Sequence, residues 1–241
     1  MSLIYINPYT FAAPAGIVTS GLVLNLDAGD TASYPGSGTT WTDLSGSGIN
    51  GTLVNGPTFD SANGGSLVFD GSNDRVDCTG SITLTAATFI CWAYRNGNQV
   101  TPTQPPGLIY SRDGFPANGL NIETQANNYR LGYNWGNDSA AYNFNTSLNT
   151  PSLAWFMAAL TVAGGNSSAA TFYLCQSSGI TTATNTINHP SQTLSNIIIA
   201  RDDPDTRCFK GSIAQALIYN RALTAAEVTQ NFNALKSRYG L

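Results

Sequence analysis

Charge is what this sequence has least of. Charged residues make up 10% of 241, with Lys+Arg at 10 against Asp+Glu at 14 and a net charge of −4. A chain without a basic stripe cannot neutralise a run of phosphates, so nucleic acid is excluded as the expected partner. Long apolar runs are missing too: none approaches the roughly 18–20 residues that a spanning helix needs. The start lacks the basic residues and apolar core of an export signal, so no membrane association is expected and the mature chain is expected to begin near Met1.

Catalytic residue types are equally scarce. Glu123 and Glu227 are the glutamates, and His189 is the sole histidine. His189 precedes Pro190 in a polar Thr/Asn/Ser-rich stretch and reads as a surface-loop residue, and no serine lies in a G-x-S-x-G elbow. Cys78, Cys91, Cys175 and Cys208 are widely spaced with no C-x-x-C pair, which speaks against zinc. Their even number leaves two disulfides open beside the alternative of buried thiols on strands, to which Phe89-Ile90-Cys91-Trp92 and Phe172-Tyr173-Leu174-Cys175 point.

What replaces charge is Ser, Thr, Asn and 24 Gly, together with 4 Trp, 11 Tyr and 10 Phe. Disordered chains are poor in aromatics, whereas strands and tight turns use these residue types. Short apolar or alternating runs recur between turn signals: 22–26, 52–54, 66–69, 75–78, 88–94, 108–111, 120–124, 129–133, 141–144, 154–162, 171–176, 197–200 and 213–219. Runs 66–69 and 75–78, separated by Asp70-Gly71-Ser72-Asn73, predict a hairpin, as do 154–162 and 171–176. So many strands exceed the seven to nine of an immunoglobulin domain and predict an all-β, two-sheet antiparallel jelly-roll sandwich.

Two flanking elements complete this reading. Residues 1–20 form an extended N-terminal arm, whose Ile4, Tyr5, Tyr9 and Phe11 must be buried against their own domain or against a neighbouring subunit. Residues 21–241 form the domain, ending in a short C-terminal helix over 224–238. Thr224 with Glu227 makes a capping box, Val228, Phe232 and Leu235 share one face, and Gly240 supplies the stop. That apolar stripe predicts a helix docked on the sandwich.

Two segments carry a family resemblance. The first runs from Gly21-Leu-Val-Leu-Asn-Leu-Asp-Ala-Gly-Asp30 through Trp41-Thr-Asp43-Leu-Ser45-Gly46 and Asn50-Gly51 to Phe69-Asp70-Gly71-Ser72-Asn73-Asp74. The second is Phe209-Lys-Gly-Ser-Ile-Ala-Gln-Ala-Leu-Ile-Tyr-Asn-Arg-Ala-Leu-Thr224. Together they resemble the laminin-G-like branch of the concanavalin A-like lectin/glucanase superfamily, in particular copies found in bacteriophage virion proteins. The resemblance implies a concanavalin A-like jelly roll, frequently with a structural calcium, in a contact role. The corresponding expectation is a non-enzymatic decoration or structural component of a virion capsid, fibre or tail, with other virion proteins and further copies of itself as partners. The alternative is an extracellular or cell-surface lectin module that recognises a polysaccharide.

Candidate residues follow from chemistry. A glycosidase needs two opposed carboxylates, and the Glu-x-Asp…Glu pattern of the glucanase branch is absent, so no catalytic residue is assigned. Calcium wants several oxygen ligands; the clusters Asp27/Asp30, Asp70/Asn73/Asp74 and Asp202/Asp203/Asp205 offer them, with Asp27, Asp74 and Asp202 as the candidate ligands beside the reading that such Asp residues close turns. For glycan, aromatic faces and amides are required, and Tyr129, Tyr133, Trp135, Asn137 and Tyr142 supply them. Trp135, beside Gly136-Asn137-Asp138, is the aromatic expected to be exposed; Trp92 and Trp155 read as core, and the 129–133 alternation also permits Tyr129 and Tyr133 to face inward. Loops over 96–118 and 134–150 are expected to face outward.

Overall fold

A computed structural model describes residues 15–99, 105–112, 116–124, 128–202 and 207–241. The arm residues Ile4, Tyr5, Tyr9 and Phe11 lie outside the described residues. Among the described residues there are fifteen strands: β1 (Leu22–Asp27), β2 (Thr40–Trp41), β3 (Gly51–Val54), β4 (Thr58–Asp60), β5 (Ser66–Asp70), β6 (Arg75–Leu84), β7 (Ala87–Arg95), β8 (Gly107–Arg112), β9 (Ala117–Glu123), β10 (Arg130–Asn134), β11 (Trp155–Val162), β12 (Gly165–Gln176), β13 (Gly179–His189), β14 (Gln192–Ile199) and β15 (Lys210–Tyr219). They form two antiparallel sheets. The first runs β13-β12-β11-β7-β15-β5-β4, with β1 also on β15, and the second runs β10-β9-β8-β14-β6-β3-β2.

The unbroken apolar runs are explained by layering. In β7, Phe89, Cys91 and Ala93 point into the core between the sheets, while Ile90 and Trp92 point out of it. That outer face is covered by helix α2 (Ala225–Leu235), a 3-10 turn over Lys236–Tyr239 and the segment at Val18, so strands β7, β11 and β15 are buried on both faces. The capping box at Thr224 and Glu227 forms as expected, and Gly240 ends the element at φ 70°. Against the expected 224–238, α-helix proper stops at Leu235 and gives way to the 3-10 turn. The four cysteines are buried thiols, and burial pushes those of Cys78 and Cys175 up to about 12.

Three expectations are corrected. Strands β5 and β6 do not form a hairpin: β5 pairs with β15 and β4 in the first sheet, whereas β6 pairs with β3 and β14 in the second. The Asp70–Asp74 turn carries the chain between layers, so Leu67 and Phe69 meet Val76 and Cys78 in the one core rather than sharing a ladder. Residues 141–144 are not a strand, because Asp138 caps helix α1 (Ser139–Tyr142) by accepting from the Ala140 amide. Finally, β13 occupies the polar stretch that reads as a loop, and it buries His189. Thr and Asn alternating on a half-exposed edge give a strand little apolar signature. By contrast, the hairpin of β11 with β12 forms as expected.

Candidate functional site

The two outer faces differ in kind. Helix α2 covers the first sheet over β7, β11 and β15, leaving Thr182, Thr184 and Thr186 of the β13 edge exposed, while the second sheet, across β3, β6 and β14, presents Thr52, Thr79, Ser81, Thr83 and Thr193 to solvent. Alternation interrupted at exposed Gly80 produces this row, because Val76, Cys78, Ile82 and Leu84 on the same strand β6 face the core. Two recesses open along β6 and share Thr79. One, of about 340 Å³, is lined by Arg75, Asp77, Thr79, Arg112, Asn196, Ile198 and Arg201. The other, of about 410 Å³, is lined by Val23, Gly48, Ile49, Thr79, Ser81 and Thr83.

Charge is concentrated at the first recess, against the trend of the chain. Arg75 Nε donates to Asp77 Oδ1 at 2.7 Å. Behind the opening, Asp202 is 0% exposed and clamped: Arg112 Nε and Nη2 reach its Oδ1 at 2.9 and 2.8 Å, and Arg207 Nη1 reaches Oδ2 at 2.9 Å. Burial raises the Asp202 carboxyl above the ordinary carboxylate range, and the two guanidinium groups oppose that shift. Arg112 also lies 5.7 Å over the ring of Tyr110, whose hydroxyl accepts from the Asn134 amide. Asn196 sits at φ 52° in β14 opposite Thr79 and Gly80, where β6 carries one extra residue between Cys78 and Ser81. Glu123, raised by burial and pulled back by Arg130 and Asn121, belongs to the same polar layer.

The expected glycan residues do not assemble into one surface. Tyr133 is in the core, its hydroxyl bonded to His189 Nε2 at 3.0 Å and accepting from Asn185 at 3.1 Å. Trp135, expected to be exposed, is 1% exposed: its indole N–H donates to the Pro190 carbonyl at 2.8 Å, which gives a buried Trp the partner it requires. Tyr129 is buried with Arg95 4.3 Å over its ring. Asn137 is half-buried and accepts the Ala117 amide through Oδ1, while Tyr142 is 41% exposed on α1. His189 is likewise buried rather than looped out; Ser168 Oγ lies 2.9 Å from Nδ1, and burial lowers the imidazole below its ordinary 6.5.

The calcium candidates are occupied by other partners. Asp27 faces Arg238 at 2.8 Å and accepts the Gly29 amide, Asp74 accepts the Asp70 amide, and Asp202 holds two arginines. Among the described residues no three His, Cys, Asp or Glu side chains group together. A guanidinium stands beside Asp27 and beside Asp202, whereas Asp203 and Asp205 of the third cluster lie outside the described residues.

The residues lining the first recess were not assigned from sequence. Arg75-Val-Asp77-Cys-Thr79 does carry a local signal, because polar side chains at every second position mark an outward face. Arg112 and Arg201, however, come from β8 and from the segment after β14, and only the sheet order brings them to β6.

Known proteins agree with this architecture. Domain 4 of AbnA, a GH43 extracellular arabinanase from Geobacillus stearothermophilus solved with arabinotriose, has a TM-score of 0.63 at 16% identity, covering 88% of this chain and 98% of that one. A Trypanosoma rangeli sialidase gives 0.64 at 14% identity over 96% of this chain, but only 36% of its own. The binding domain of botulinum neurotoxin serotype D gives 0.56 at 12%, covering 92% and 52%. At such identities these likenesses show the fold. This chain spans about a third of the sialidase and half of the neurotoxin domain. No curated protein matches by sequence. Residues 69–229 match the laminin-G-like family model of the concanavalin A-like lectin/glucanases superfamily, and the chain belongs to that family.

Proposed function

We propose that this chain is a non-enzymatic recognition module that binds glycan through the open face of its second sheet, carried on the surface of a larger assembly such as a bacteriophage virion. The observation that carries this reading is the pair of adjoining recesses on the hydroxyl-bearing face of the second sheet, whereas on the first sheet α2 covers β7, β11 and β15 and leaves only the β13 edge open. Hydroxyl and carboxylate side chains bond sugar hydroxyls, and Ile198 offers an apolar patch to a sugar C–H face. The carboxylates at the recess support binding rather than hydrolysis. Asp77 is paired with Arg75 and Asp202 is held by two arginines, so neither stands as a free acid opposite a base. The arabinotriose complex of the arabinanase domain adds a precedent for a glycan on this fold.

Saturable binding on a glycan array is the expected result, reduced at least tenfold in Thr79→Trp, which fills the junction of both recesses. Silence across neutral and acidic glycans overturns the reading. Trp135→Ala is the wrong probe, since it removes a buried indole and perturbs the fold.

The attachment side follows from the N-terminal segment. Gly16 accepts from Gln230, and the Val18 amide donates to Asn231 Oδ1 at 2.7 Å, both on α2. The chain thus enters on the sealed side, opposite the open face, which suits a module tethered behind and recognising in front. Deleting residues 1–14 is expected to lower the mass seen by light scattering while the β-rich circular dichroism is unchanged. An unaltered mass overturns the intersubunit arm.

A further inference from the structure

We infer that strand β13 is an interaction edge, on which a second copy of this chain pairs antiparallel and extends the first sheet across a twofold axis. A strand at the end of a sheet turns every second N–H and C=O outward, and these groups pair with another strand unless charge, proline, a bulge or a covering segment prevents it. Of the four strands that end the two sheets, three are short or covered. β4 has three residues, follows Pro57 and ends on Asp60, and β2 has two residues. β10 is covered by the segment at 146–150: the Leu131 amide donates to the Leu148 carbonyl at 2.9 Å, the Thr150 amide to the Tyr129 carbonyl at 2.7 Å and the Thr146 hydroxyl to the Leu131 carbonyl at 2.7 Å. The free side of β1 is likewise occupied, because the Asn25 amide donates to Asp43 Oδ1 and the Asn25 carbonyl accepts the Leu44 amide.

β13 has none of these protections. It runs for 11 residues, and its register with β12 is regular from Gly179 to Ile187, the irregularity lying at the His189 end. Among the described residues no backbone group bonds to its outer side. It holds no proline, and no Asp, Glu, Lys or Arg occurs anywhere from Ser139 to Ala200. Ile180, Ala183 and Ile187 are left half-buried, while Thr182, Thr184 and Thr186 are exposed.

The same chemistry selects the partner. A charge-free edge offers nothing to a partner chosen by opposite charge, yet against its own copy it sets no like charges face to face, even in a chain of net charge −4. Around a midpoint at Thr184, Thr182 of each copy meets Thr186 of the other. Threonines already meet in this way within the chain: Thr171 with Thr184, and Thr83 with Thr193, each pair of Oγ1 atoms at 3.1 Å. The twofold axis of an antiparallel ladder stands normal to the sheet, so both α2 layers fall on one side of the joined sheet and both open faces on the other. A contact made by one strand edge belongs to the small class of interfaces, under about 1,200 Å², so the pair is expected to separate on dilution.

The test is sedimentation velocity of the full chain between about 1 and 100 µM, where a concentration-dependent doubling of mass is expected. Over the same range, hydrogen exchange in the peptide 179–189 is expected to slow as mass doubles. Thr182→Lys/Thr186→Lys sets like charges opposite each other and is expected to weaken association about tenfold or more, as is Thr182→Glu/Thr186→Glu. An equimolar mixture of the two variants is expected to associate again as a mixed pair, which also shows that both fold. The absence of any doubling overturns the inference. Doubling that leaves exchange in 179–189 unchanged, or that survives in the Lys variant, places the contact on another surface and overturns it as well.

Discussion

Replacing Trp92 with alanine is expected to lower stability by about 3–5 kcal/mol, the range for losing a large aromatic from a packed site. Trp92 is fully buried on the outer side of β7, stacked on Phe232 of α2 at 5.7 Å and on Tyr239 of the following turn at 4.5 Å. Tyr239 in turn meets Trp155 of β11 at 4.7 Å. These rings join sheet, helix and C-terminal turn, so their loss opens a cavity and frees the covering layer. The measurement is urea denaturation with a hydrophobic dye as second probe. A midpoint shift equivalent to a loss of about 3 kcal/mol or more, with dye binding in the variant's native baseline, is the expected outcome. A loss below about 1 kcal/mol would show that the helix contributes little to the fold.

This site also shows how far the sequence could be read. The run 88–94 and the stripe Val228, Phe232, Leu235 were both legible, one as a strand without a polar face and the other as a helix with an apolar one. Each implies a partner, and in the structure they are largely each other's. What could not be read is which strands are neighbours. Asp70-Gly71-Ser72-Asn73 marks a change of direction, and turn chemistry is the same whether the chain returns along its own sheet or crosses to the other. The same limit hid the candidate site. The outward Arg75, Asp77 and Thr79 are visible as an alternation, but Arg112 and Arg201 join them only because β14 separates β8 from β6 in the second sheet. Trp135 failed for a different reason: a turn sequence beside an indole looks exposed until the Pro190 carbonyl, 55 positions away, supplies its acceptor.

Asp43→Ala is expected to be as damaging as loss of Trp92, though its surroundings are polar. Asp43 is buried, and its Oδ1 accepts the amides of Asn25 at 2.9 Å and Ser45 at 2.9 Å. Its Oδ2 accepts the Ser45 hydroxyl at 2.8 Å and the Ile49 amide at 3.1 Å. Asn25 belongs to β1 of the first sheet, and Ile49 leads into β3 of the second, so one carboxylate ties the edges of both layers. Hydrogen bonds to a charged acceptor contribute about 1.5–3 kcal/mol each, and buried amides left without a partner add their desolvation penalty, which places the alanine variant near a loss of about 4 kcal/mol. Asp43→Asn keeps the shape but turns one oxygen into a donor facing other donors, so an intermediate loss of about 2 kcal/mol is expected in the same urea titration. A ranking in which asparagine equals alanine would mean that shape, not acceptor count, fixes the loop. Either variant also loosens Gly48 and Ile49, which wall the second recess, and weaker glycan binding is expected to track the loss of stability. The Trp41-Thr-Asp43-Leu-Ser45-Gly46 segment that carries the family resemblance is therefore scaffold: it positions the edge of β6. The recess of Arg75, Asp77, Arg112 and Arg201 lies within the family match at 69–229 but outside both resembling segments, so the shared scaffold does not by itself assign its ligand.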